Sequence, residues 1–238
     1  MVVVLTFFLR RASGKYLYLC QMISIEVFTF NPFEENTYVL YTEREAMIVD
    51  PGCYEPGEQQ ALRDFVRRKN VRVTAVLNTH CHIDHVLGNF FACAAFQAPL
   101  RIHPVEEQLL RAVRAYAPNY GFHQYQEKLP DSFFLPNEKL QLGTTELDIL
   151  FVPGHAPGHV AFYNRAQRWV IGGDVLFHRS IGRTDLPGGN LDTLVQSIHS
   201  QLFTLPDEVV VYPGHGPATT VGEEKKFNPF CALSPTAS

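Results

Sequence analysis

The chain has 238 residues, of which 46% are hydrophobic and 18% charged. That is enough apolar material for one large domain with a substantial core, and too much for a disordered chain. A formal net charge of −4 leaves no electrostatic footprint for nucleic acid, and no apolar run approaches the length of a membrane span. The cysteines (Cys20, Cys53, Cys81, Cys93, Cys231) are odd in number and form no Cys-x-x-Cys pair. They point to reduced thiols in a cytoplasmic setting rather than to a disulfide framework.

Met1 to Leu9 is apolar, but no positive residue precedes it and Arg10-Arg11 follows. A secretory signal requires the opposite charge order. Residues 1–21 therefore read as an upstream extension from an over-early start codon, with an exported or membrane-associated form as the minority alternative. The expected domain runs over 22–238. Ser24 to Phe30, Asn36 to Tyr41 and Ala46 to Val49 read as strands, the last ending at Asp50-Pro51-Gly52. Glu55 to Arg68 has helical spacing, with Ala61, Phe65 and Val66 as the apolar stripe.

The β-branched, apolar run Val73 to Thr79 reads as a buried strand and leads into His80-Cys81-His82-Ile83-Asp84-His85. This places four His/Asp ligand candidates on a strand-to-helix turn, where α/β proteins usually build sites. In extended chain His80 and His82 project the same way, because side chains repeat every second residue. Cys81 then points away. Asp84 and His85 begin the next helix, which runs to about Phe96, and form a second ligand set beside the first. Imidazole with carboxylate suits zinc, iron or manganese.

A short strand is expected at 100–102 and a helix from Pro104 to Tyr116, with Pro at its first position. Ala117 to Asn137 is irregular and aromatic (Tyr120, Phe122, Tyr125, Phe133, Phe134), in the manner of a binding loop or lid. Strands follow at 147–152, 159–163, 168–172 and 208–212, with a helix near 192–203. Three of these strands run into further ligand candidates beside glycines: His155 in Pro153-Gly154-His155, Asp174 after Gly172-Gly173, and His215 in Pro213-Gly214-His215-Gly216. Four ligand-bearing strand ends on one edge are hard to produce by chance.

The pattern His-x-His-x-Asp-His with a later His, Asp and His resembles the metallo-β-lactamase superfamily from Met22 to about Phe230. Asp50-Pro51-Gly52 is similar to the family's early turn beside the metals. The resemblance implies an α/β fold, the αβ/βα four-layer sandwich. It implies two divalent metal ions, zinc first, with iron or manganese as alternatives. One would be held by His80, His82 and His155, the other by Asp84, His85 and His215, with Asp174 bridging. Gly182-Arg183-Thr184-Asp185 and Thr220 to Glu224 leading to Asn228-Pro229-Phe230 resemble the short bacterial branch of the glyoxalase II-like group.

The function this implies is hydrolysis of a hydroxyacyl thioester of the S-lactoylglutathione type. Bound metal lowers the pKa of water to about 7, and Asp84, as the catalytic carboxylate, would orient the resulting hydroxide. The partner is then a small-molecule thioester, with no nucleic acid and no membrane, and the oligomeric state is left open. Arg183 and Asp185 are candidates for substrate contact, or else a buried pair bracing their turn. His159 is expected to orient a ligand or to pack, and Glu224 to anchor the C-terminal segment. Longer glyoxalase II enzymes carry a C-terminal helical domain that binds glutathione; the chain ends before one, and Lys225 and Lys226 do not replace it.

Three alternatives compete. An iron-dependent persulfide dioxygenase would use His80, His155 and Asp174 alone, whereas an intact His215 favours the hydrolase. A lactamase with two zincs usually carries cysteine where Asp174 stands. A non-catalytic metal-binding module would be expected to lose ligands, and none of the seven is missing.

Overall fold

Alternation of apolar residues on both faces of the same strands is what stacks this chain into layers. The computed structural model describes residues 22–233, so the expected extension over 1–21 and the last residues, 234–238, lie outside the described residues. The first half holds β1 (Ser24–Phe30), β2 (Glu35–Tyr41), β3 (Glu45–Val49), α1 (Pro56–Lys69) and β4 (Arg72–Leu77). After these come α2 (Ile83–Val86), α3 (Asn89–Phe96), β5 (Leu100–Ile102), α4 (Glu107–Tyr116) and β6 (Ser132–Phe133). The second half holds β7 (Lys139–Leu142), β8 (Thr145–Phe151), β9 (Val160–Asn164), β10 (Trp169–Gly173), β11 (Leu176–Phe177) and β12 (Ser180–Ile181). It closes with α5 (Leu191–Ser197), β13 (Val210–Pro213), β14 (Thr219–Thr220) and α6 (Val221–Phe227).

Strands β1 to β6 form one mixed sheet in sequence order, and β14-β13-β10-β9-β8-β7 form the other. Helices cover the outer face of each, so the expected αβ/βα sandwich is the observed one. Tyr38, Leu40, Met47, Val49 and Leu77 point inward from the first sheet. They meet Leu140, Leu147, Val160, Phe162 and Ile171 of the second. Their neighbours Val39, Ile48 and Val76 point outward under α1 and α4, against Leu62, Phe65 and Leu110. Ala161, Tyr163 and Val170 likewise face Leu194 of α5 and Ile198 just after it. Two faces buried per strand is the pattern of a sheet enclosed by helices.

Some expectations shift. The α1 stripe is Leu62, Phe65 and Val66; Ala61 is exposed, because the i, i+3, i+4 face centres on Leu62. The helix expected over 192–203 divides at Ile198 into α5 and a widened turn, Ile198–Leu202. The segment from Ala117 to Asn137 is largely exposed but is pinned at two points. Phe122 and Phe134 are buried in separate cores, and Tyr120 alone among its expected aromatics is well exposed. Strands β6, β7 and β14 and helix α6 carried no periodic signal long enough to read. Among the described residues the cysteines are free and buried, and no helix is long and apolar enough to cross a membrane.

The inter-sheet core generates a stability prediction. Phe162 is fully buried there, edge-on to Phe134 at 5.7 Å. Phe162→Ala is expected to cost about 3–5 kcal/mol in urea denaturation. The same measurement on Val27→Ala, at an exposed position of β1, should give a change within about 0.5 kcal/mol. Equal losses from both would contradict this core assignment.

Candidate metal centre

Each ligand-type side chain sits just beyond a strand end. Leu77 ends β4 three residues before His80; Phe151 ends β8 ahead of the His155 turn; Gly173 ends β10 next to Asp174; Pro213 ends β13 before His215. These ends are tied across the two sheets. Tyr38 donates its hydroxyl to the Pro213 carbonyl at 2.6 Å, and the Asn36 amide donates to the carbonyls of Pro213 and Gly216. The Val160 N–H donates to the Thr79 carbonyl at 2.9 Å. Gly214 has no room for a side chain: a Cβ there would lie 2.1 Å from Asp174 Oδ1.

All seven side chains converge. His82 Nδ1 lies 2.8 Å from His155 Nε2, which lies 3.2 Å from His80 Nε2. Beside this trio, His215 Nε2 is 3.0 Å from Asp84 Oδ2, and His85 Nε2 is 3.7 Å from the same oxygen. Asp174 touches both groups. Its Oδ2 is 3.5 Å from both His155 Nε2 and His215 Nε2, and its Oδ1 is 3.4 Å from His85 Nε2. The trios His80–His82–His155 and Asp84–His85–His215 each gather their ligand atoms within 4.8 Å, and so does Asp50–His80–His85. The Asp50 carboxylate, however, is already engaged by the Thr79 amide at 2.7 Å and hydroxyl at 2.6 Å.

The imidazole tautomers follow from what lies behind each ring. The Arg183 carbonyl accepts from His155 Nδ1 at 2.7 Å, and the Phe33 carbonyl accepts from His215 Nδ1 at 3.0 Å. Asp50 Oδ2 accepts from His85 Nδ1 at 3.2 Å. Thr79 gives its hydroxyl hydrogen to Asp50, so its oxygen accepts from His80 Nδ1 at 3.0 Å. Carbonyls and carboxylates cannot donate, so the proton stays on Nδ1 and the Nε2 lone pair faces the centre. His82 is turned the other way and presents Nδ1.

Lone pairs facing one another repel unless a proton or a cation lies between them. Buried His85 Nε2 and Asp174 Oδ1 have no hydrogen-bond partner among the described residues. Such orphaned acceptors, aimed at a shared centre, fit a pair of divalent cations. The two trios differ electrostatically. Burial holds His80 well below the ordinary histidine range and His82 down to about 3, and it lowers His155 as well. Burial also opposes charge on His85, but Asp84, Asp174 and Asp50 overcome it and raise that ring well above its ordinary value. His215 is raised because its protonated ring would hydrogen-bond Asp84, and by Asp174, again against burial.

The remaining expected residues fall behind or beside the centre. His159 is fully buried, stacks on His80 at 4.6 Å, and accepts the Asp174 amide at 3.1 Å. Glu224 is buried and accepts from the Thr219 hydroxyl, the Arg179 amide and the Asn228 side chain, an anchoring role. Cys81 is buried in the outer core. Arg183 and Asp185 pair with each other through two 2.7 Å bonds but are 63% and 67% exposed, so they are no buried brace. Arg183 serves the centre through its carbonyl. Sequence reading missed Thr79, Glu35 and Glu106, each buried beside the centre, because single polar residues on apolar strands and turns carry no pattern. A cleft of about 740 Å³ beside Tyr54, Arg63 and Phe90 contains none of the seven side chains.

The pKa directions predict how acid would empty such a centre. Protons compete first for His85 and His215, whose affinity for a proton is raised by the neighbouring carboxylates, while burial keeps the three-histidine trio neutral to lower pH. As pH falls, one metal per chain should leave first from the Asp84 trio and the other should remain until lower pH. Metal content measured after dialysis across pH would show two steps; a single joint loss would contradict the assignment.

The sequence profile described as the metallo-beta-lactamase superfamily matches residues 30–215. The hydroxyacylglutathione hydrolase GloC of Haemophilus influenzae is 33% identical over 215 residues, spanning 87% of this chain and 98% of that protein. The crystal structure of BLEG-1 B3 metallo-beta-lactamase superposes with a TM-score of 0.79 at 34% identity, covering 88% of this chain and all of that one. TTHA1623, solved in a di-iron-bound form, gives 0.76 at 35% identity, covering 86% of this chain and 99% of that one.

Proposed function

From the premise that this chain belongs to the metallo-β-lactamase superfamily, we propose that it is a metal-dependent hydrolase of hydroxyacyl thioesters of the S-lactoylglutathione type. The observation that carries the reading is the complete second ligand set, Asp84, His85 and His215, joined to the first through Asp174. In this reading His80, His82 and His155 would hold one divalent cation and Asp84, His85 and His215 the other, with Asp174 within 3.5 Å of both sets. The nitrogen and carboxylate donors suit zinc, and also iron or manganese.

Bound cations would supply a water of pKa about 7 and polarise the thioester carbonyl. The chain's own groups do the rest. Asp84 turns its Oδ2 to the ligand trio, 3.0 Å from His215 Nε2, and its other oxygen would accept a hydrogen bond from the attacking water and orient it. The four Nδ1 acceptors keep the rings in one tautomer. The departing thiolate needs no side-chain acid, because a thiol of pKa about 8.5 leaves readily near neutral pH. The similarity to the Haemophilus hydroxyacylglutathione hydrolase supports a thioester. The similarity to a B3 metallo-β-lactamase makes a β-lactam the necessary comparison substrate.

Purified protein is expected to carry two divalent metals per chain and to cleave S-lactoylglutathione. Asp84→Asn should keep the fold, weaken metal binding and sharply reduce turnover, because an amide neither carries the charge nor accepts as strongly. His215→Ala should lose one metal and at least about tenfold in thioester cleavage, the lower end for ligand-supporting groups. Two other outcomes would overturn the reading. One is negligible thioester cleavage with oxygen uptake on glutathione persulfide that survives His215→Ala, as a single-iron dioxygenase would show. The other is β-lactam hydrolysis without thioester cleavage.

A further inference from the structure

Glu106 is a fully buried carboxylate that the hydrolysis above does not use. It ends the short 3₁₀ turn Pro104–Glu106 ahead of α4. No Lys or Arg among the described residues forms an ion pair with it. Its partners are two backbone amides. Oε2 accepts the Cys81 N–H at 2.8 Å, and Oε1 accepts the Gly158 N–H at 2.6 Å. Burial pushes its carboxyl up to about 7, even though those two N–H bonds favour the ionised form.

The location of the two amides is what matters. Cys81 lies between His80 and His82, on the turn leaving the first sheet. Gly158 lies between His155 and His159, on the turn joining β8 to β9 in the second. One carboxylate therefore grips both turns that supply the three-histidine trio. The grip is close. A Cβ on Gly158 would fall 2.8 Å from His103 Nδ1 and 2.9 Å from Glu106 Oε1 and Cγ, so glycine there lets the amide reach the carboxylate. Cys81 adds no polar atom to the centre; its amide is its contribution, and this accounts for a polar acceptor in an otherwise apolar core.

We propose that Glu106 is a positioning residue, whose two-amide clamp sets the separation of the His80/His82 turn from the His155 turn and thereby the metal affinity of the three-histidine position. This rests on the metal reading of the seven side chains given above. A carboxylate offers an acceptor to each amide, whereas a glutamine of the same shape offers one oxygen and turns its NH₂ against the other N–H. Groups that orient ligands from behind typically govern metal affinity by 10–100-fold.

The test compares Glu106→Gln and Gly158→Ala with the parent, each loaded with zinc and challenged with dipicolinate, and each loaded with cobalt(II) for its visible spectrum. Both variants are also made in a His215→Ala background, so that the three-histidine position is read alone. The expected result is release of that metal at roughly 10–100-fold lower chelator concentration, with an altered cobalt spectrum and a melting temperature close to the parent's. Gly158→Ala keeps the carboxylate but displaces it, so it decides the matter if Glu106→Gln does not fold. Parent-like affinity and spectrum in a folded variant would overturn the proposal. A parent protein that holds no metal would remove the metal reading itself, and the positioning role with it.

Discussion

Five imidazoles and two carboxylates crowded into one buried space impose the constraint on which the rest of this structure depends. Lone pairs on His80, His82 and His155 approach within 2.8–3.2 Å, closer than neutral acceptors tolerate without something positive between them. Asp174 completes the crowding by facing both trios. Such an arrangement is costly in an apolar core. It persists because the surrounding chain over-determines it, ring by ring.

The means of that over-determination are ordinary. Two backbone carbonyls, one carboxylate and one hydroxyl stand behind four of the rings, and each fixes a tautomer. Asp50 does the most. It holds the Thr79 amide and hydroxyl and His85 Nδ1 from a left-handed backbone position, φ 49°. Non-glycine residues adopt that conformation at a cost, and Asp tolerates it better than most. Its carboxylate is thereby swung under the histidines rather than into the centre, which separates its role from that of Asp84 although both are aspartates beside the site.

The two trios share a wall but differ in character. The first is all imidazole and is kept neutral by burial. The second mixes carboxylate with imidazole and draws positive charge toward itself. The second also opens further toward solvent: Asp84 and His215 are both part-exposed, whereas in the first only His82 is. The two positions therefore meet water, protons and metal on different terms, although one aspartate joins them.

Local pattern in the amino-acid sequence marked out the ligand candidates and the longer strands, while their division between two metals and the layer architecture came from the family resemblance. His80, His82, Asp84 and His85 lie within six residues, and continuous apolar runs read as buried strands. Strand boundaries were legible within a few residues wherever the apolar run was long, as in β1, β4 and β9. Short elements such as β6, β14 and α6 were not, because their stability comes from pairing and packing with distant partners rather than from a local period. The second tier around the centre was illegible for the same reason. Glu106 looks like any helix-start glutamate, Arg183 contributes its backbone instead of its guanidinium, and Asp50 resembles a ligand until its partners are seen. Only the tertiary structure decided these, since a hydrogen bond between residues 52 positions apart, such as Glu106 to Gly158, leaves no trace in either segment alone.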